Sequence, residues 1–222
     1  MARGLQTVSV VDALVASLQT KVLDGELPPG SGLTENDVAA QFDVSRPTAK
    51  SALTHLVAQG LLRREAHKTA RVPALSRTDV EDLFLVRIPL ELGVIRVLSA
   101  RGALPQGAAR AVADLAGILP GASHSEFVEA DLAFHRALVA AVDSPRLTRL
   151  YAALSGEIHL SMVQSRDALG RDRIADEHRA IYEALRAADA ELAEGLMRTH
   201  LEGACAALAA KLDRPAEHSA AS

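Results

Sequence analysis

Asp131 and His135 sit four residues apart in the stretch "EADLAFHRALVAAV" (129–142), on the helical stripe that Phe127, Phe134, Leu138 and Val142 mark as inward. Burying an acid and an imidazole without partners is expensive, so something must compensate them. His178 repeats the pattern in "RIADEHRAIYEAL", where Ile174, Ile181 and Leu185 face inward, and His200 repeats it in "LAEGLMRTHLEGACAAL" beside Leu192 and Leu196. Taken singly, each is most simply a hydrogen-bonded core histidine. Together, three imidazoles and an i, i+4 aspartate are what one buried divalent ion needs, because it satisfies all four groups at once. Such a donor set suits Zn, Ni, Fe or Mn and leaves coordination positions for water or a ligand. His55, His67, His124, His159 and His218 lack this spacing, although His159 falls on a helix placed to line the same cavity.

These side chains require long helices to hold them. Amphipathic periodicity places six, near 77–101, 105–118, 124–142, 146–168, 172–187 and 189–212, separated by "RGALPQG", "LPGAS", "DSP", "LGRD" and "AAD". Pro89 inside the first implies a kink. The tail, 214–222, is expected to be disordered.

Upstream the texture differs. A helix over about 9–24, with Val10, Leu14, Leu18 and Val22 inward, ends in "DGELPPGSG". Thr34 caps a short helix with Asp37 at N3, and Ser45 caps another that carries Pro47 in its first turn and stops at Gly60. Two short helices joined by a tight turn form a helix-turn-helix, and "LLRREAHKTARVP" supplies two short strands around a basic turn, a wing. The expected architecture is mainly α: a winged helix-turn-helix over 1–75, then an all-α bundle of about six helices over 76–213.

Composition agrees with that class. Half of the 222 residues are apolar, Trp is absent, and the single cysteine, Cys205, cannot form an intrachain disulfide. No run approaches the roughly 18 apolar residues of a membrane span, and no signal sequence is visible, so a cytoplasmic protein without membrane contact is expected. The net charge of −4 hides an asymmetry. Val44 to Val72 gathers Arg46, Lys50, Arg63, Arg64, Lys68 and Arg71 against Glu65 alone, a footprint suited to phosphate.

The chain resembles GntR-family transcription regulators of the FadR/VanR branch, which join a winged helix to a C-terminal FCD domain. The resemblance rests on "LDGELPPGSGLTENDVAAQFDVSRPTAKSALTHLVAQGLL" and on "LFLVRIPLE", "DLAFHRALV", "EHRAIYEAL" and "MRTH". Six C-terminal helices match the shorter, VanR-like form. It implies a homodimer on double-stranded DNA at a palindromic operator, responsive to a small organic acid, with Asp131, His135, His178 and His200 as the metal ligands. The recognition helix departs from the usual "SRTPVREAL": here it reads "SRPTAKSAL", with Lys50 where the family has Arg. Asn36 stands where some members have Arg, and "AHKT" replaces a Gly-rich wing turn.

The resulting expectation is a dimeric, effector-responsive regulator. Arg46 is the best candidate for a base edge, with Ser45, Thr48, Lys50 and Arg71 contacting bases or phosphates and His67 or Lys68 at the wing tip. Arg87, one turn before Glu91, either clamps the far end of an acid or pairs with Glu91, and the spacing leaves both open. The competing class is a metal-dependent hydrolase or lyase on the same residues. Its nearest base in sequence, Glu177, points about 100° away from His178 around the helix.

Overall fold

The computed structural model describes residues 9–65, 68–118 and 122–213; the tail expected to be disordered lies outside them. The chain divides into two compact units between Ala74 and Leu75.

In the first unit, α1 (Val10–Leu23) opens at Ser9, whose hydroxyl accepts the Asp12 N–H, and buries Leu14, Leu18 and Val22. Val10, placed inward by its spacing, is 63% exposed: as the helix's first residue it projects beyond the buried stripe that begins at Leu14. β1 (Gly32–Leu33) leads into α2 (Glu35–Phe42), which Thr34 caps. α2 closes at Asp43, left-handed at φ 48°, a conformation aspartate tolerates better than bulkier residues. Ser45 then caps α3 (Arg46–Ala58). α3 packs on both α1 and α2, burying Leu53 and Leu56 with Leu18. The wing differs from expectation. β2 (Ala70–Arg71) pairs antiparallel with β1, and the expected first wing strand is a single bridge from Arg63 to Arg71. Two-residue strands are too short for alternation to show in sequence.

In the second unit, α4 (Arg77–Arg101), α5 (Gln106–Ala116), α6 (His124–Ala141), α7 (Pro145–Gln164), α8 (Arg171–Arg186) and α9 (Ala190–Leu212) form an all-α bundle. Capping boxes start α4 (Ser76 with Asp79) and α6 (Ser123 with Glu126), each satisfying two backbone N–H groups reciprocally. α4 continues as helix through the exposed Pro89 and stops at left-handed Gly102. α7 ends before the expected residue 168, where Ser165 leaves helical geometry and donates its hydroxyl to the Leu208 carbonyl. α4 lies along α9, α5 along α6, and α8 touches both α6 and α9. Fully buried Phe84, Phe127, Phe134 and Tyr151 fill the centre, each contributing about 1.5–3 kcal/mol by area removed from water. Among the described residues, no helix is long and apolar enough to cross a membrane.

Candidate functional site

Because α8 contacts both α6 and α9, the three histidine-bearing helices meet at one point. Asp131, His135, His178 and His200 are all buried, and their ligand atoms lie within 4.8 Å of one another. The three Nε2 atoms form a near-equilateral triangle: 3.1 Å from His178 to His135, 3.2 Å from His178 to His200 and 3.3 Å from His200 to His135. Asp131 Oδ1 is 3.5 Å from His178 Nε2. Imidazoles sharing one ion at the ordinary metal–nitrogen distance have their nitrogens about 3.0–3.4 Å apart, so the donor set fits such an ion.

The surrounding carboxylates fix the direction of two rings. Glu91 Oε2 lies 2.5 Å from His135 Nδ1, and Glu177 Oε2 lies 2.8 Å from His200 Nδ1. With the ring proton drawn to Nδ1, both histidines turn an Nε2 lone pair toward the centre. A single hydrogen on His178 Nε2 can serve only one of them, and His178 Nδ1 is buried without a partner. Burial and the charges of neighbouring histidines lower His178 and His200, which keeps them neutral, as ligation requires.

Arg87 and Glu91 settle part of the choice left open in sequence. Arg87 Nε donates to Glu91 Oε1 at 2.6 Å with both side chains 2% exposed, and Tyr151 adds its hydroxyl to Glu91 at 3.2 Å. Burial alone would raise the Glu91 carboxyl; Arg87 and His135 instead hold it well below the carboxylate range. Yet Arg87 Nη2 is also buried without a hydrogen-bond partner among the described residues. The guanidinium is near enough to Asp131, His178 and His200 for their charges to interact. His159 is buried on α7, but the charges acting on it are those of Arg136 and His124. Burial, with those two beside it, lowers it to about 4.

The first unit carries the basic face. A hollow of about 510 Å³ brings Arg46, Lys50 and Lys68 together with Glu35, Asn36 and Arg64. Ser45 and Thr48 are engaged in capping α3: the Ser45 hydroxyl accepts the Thr48 N–H and lies 2.7 Å from the Thr48 hydroxyl. Arg71 is outside the hollow's lining; its Nη1 donates to the Gly30 carbonyl at 3.0 Å and rests against Gly32. Lys68 pairs with Glu65, and His67 lies outside the described residues. Sequence reasoning missed Glu91 and Glu177 as partners of the cluster and Glu35 as a partner of Arg46. Each acts on a residue of another helix, which periodicity within one helix does not reveal.

Residues 11–72 match the bacterial regulatory proteins of the gntR family, and residues 82–203 match the FCD domain. The chain is 30% identical over 186 residues to the probable D-xylose utilization operon transcriptional repressor of Paenarthrobacter nicotinovorans, spanning 82% of this chain and 80% of that protein. It is 27% identical over 204 residues to the gluconate operon transcriptional repressor of Bacillus subtilis, spanning 86% and 82%. Among solved structures, a GntR regulator from Rhodococcus sp. RHA1 aligns with TM-score 0.77 at 26% identity over 89% of this chain and 96% of that one.

Proposed function

The chain belongs to the GntR family of bacterial transcription regulators and carries its FCD domain, and from that premise we propose a repressor controlled by a small carboxylate bound at a metal centre. Asp131, His135, His178 and His200 hold one divalent ion, whose open positions take the acid. Such an ion supplies a Lewis-acidic, positively charged anchor. Arg87 supplies the second anchor. The observation that carries this reading is the pairing of converging Nε2 lone pairs with a buried Arg87 amino group that has no protein partner. A carboxylate between them satisfies both. The relative named for a gluconate operon makes gluconate the first candidate, and D-xylose, the neutral sugar in the name of another relative, is the competing one.

Titration calorimetry of gluconate and D-xylose into chelator-stripped and Zn-loaded protein tests this. The acid is expected to bind only the loaded form, with Arg87→Gln weakening it at least tenfold and the neutral sugar not binding. Equal binding of the acid to stripped protein would give the metal a purely structural role.

In the same reading the protein is a homodimer on a palindromic operator. Leu85 and Val86 on α4 are 71% and 48% exposed, and Leu150 on α7, which packs against α4, is 62% exposed; these are large apolar side chains that a second copy would cover. The α3 helices then enter successive major grooves, Arg46 leading. Sedimentation of Leu85→Glu/Leu150→Glu is expected to give monomers; an unchanged dimer would move the interface elsewhere. Binding of the acid matters to DNA only so far as it favours one arrangement of the two DNA-binding units over another.

A further inference from the structure

Among the described residues lining the basic hollow of the first unit, Glu35 is the one acid, and a carboxylate there would repel an approaching phosphate backbone. Its place in the first turn of α2 does not explain it fully, since Thr34 and Asp37 already cap that end. Its contacts do. Glu35 Oε2 accepts from Arg46 Nε at 3.1 Å, across to the first residue of α3, and Oε1 lies 3.8 Å from Arg64 Nη1, beside the wing. The Glu35 side chain is 19% exposed, whereas that of Arg46 is 68% exposed. Arg64 is largely enclosed, and its Nε is buried without a partner. Of the two guanidiniums, only Arg46 projects far enough to reach a base.

Resting on the reading of this unit as DNA-binding, we propose that Glu35 is a positioning residue for sequence readout, holding Arg46 through Nε so that its terminal amino groups face a guanine edge. Guanine offers O6 and N7 side by side in the major groove, and a guanidinium steadied at Nε can still present two N–H groups to them. The need is specific to guanine: Lys50 is a point charge and Asn36 is suited to adenine, so Arg46 is the exposed side chain lining this hollow that can meet a guanine edge with a two-pronged fork. Arg64 anchors Glu35 from the other side, tying the base of the wing to the first turn of the recognition helix.

Selection from a random duplex library by purified full-length wild type, Glu35→Gln, Glu35→Asp and Arg46→Ala, with melting curves for each, tests this. Wild type is expected to enrich a palindrome with a guanine in each half-site. Glu35→Gln is expected to lose about tenfold of the preference at that base pair, the scale of one bidentate contact, while binding unrelated duplex about two- to fivefold more tightly because a negative charge is gone. Arg46→Ala is expected to lose preference at the same base pair, and Glu35→Asp to fall between wild type and Glu35→Gln. A merely structural Glu35 would weaken all sequences together, and that outcome overturns the proposal. So does a Glu35→Gln profile identical to wild type. Enrichment of no sequence by wild type overturns the DNA-readout function as well.

Discussion

Two arginine–glutamate pairs in this protein have the same chemistry and opposite physics. Arg46 and Glu35 meet at 3.1 Å on the basic face with side chains 68% and 19% exposed; Arg87 and Glu91 meet at 2.6 Å with both 2% exposed. In water the first pair contributes little to stability, so its use lies in orienting Arg46, whose terminal amino groups stay open to DNA. In the core the second pair is held by Tyr151 and His135 as well, and breaking it leaves a charge that no solvent reaches. The difference shows how one motif orients an exposed side chain in one unit and neutralises a buried charge in the other.

Removing one partner should separate the pairs most sharply. Glu91→Gln is expected to lower stability by about 3–5 kcal/mol, whereas Glu35→Gln should cost under about 1 kcal/mol. Denaturant midpoints measure both, and equal losses would erase the distinction. Next in size, Arg46→Ala is expected to reduce selective duplex binding by about 100-fold with the melting temperature unchanged, read by competition with unrelated DNA. A mutant that still selects the wild-type sequence would remove Arg46 from the interface. Glu177→Gln is expected to weaken Zn affinity by about tenfold through loss of the His200 Nδ1 contact, measured by chelator competition.

The smallest effect concerns His159, which burial, with Arg136 and His124, lowers to about 4. The unfolded chain protonates it first, near its ordinary value of about 6.5. Its contribution is therefore complete above that pH and is lost as the pH falls from about 6.5 toward 4. His159→Gln should narrow the gap between melting temperatures at pH 7 and pH 5; an undiminished gap would assign the acid sensitivity to other groups.

The cluster was legible in sequence because each of its members repeats within a single helix. Asp131, His135 and His178 share stripes with Phe127 and Ile174; His200 is buried as expected, but beside Ala193, Met197 and Ala204, while Leu192, expected inward with it, is 50% exposed. Glu177 marks the limit of that method. Placed by sequence about 100° from His178, it belongs instead to His200, on the neighbouring helix. Val10 and the wing strand fail for a related reason: a helix's first residue and a two-residue strand carry too little pattern.

What the sequence determined by itself is the class of elements, their approximate limits and the inward placement of four polar groups, because periodicity, caps and Gly/Pro breaks are local. Family membership was legible in its local motifs too. What only the tertiary structure decided is which groups meet: the near-equal spacing of three Nε2 atoms, the Glu91 and Glu177 contacts that set ring tautomers, and Glu35 between two arginines. Those depend on how helices distant in the chain pack, and packing is set by the whole core, not by any one stretch.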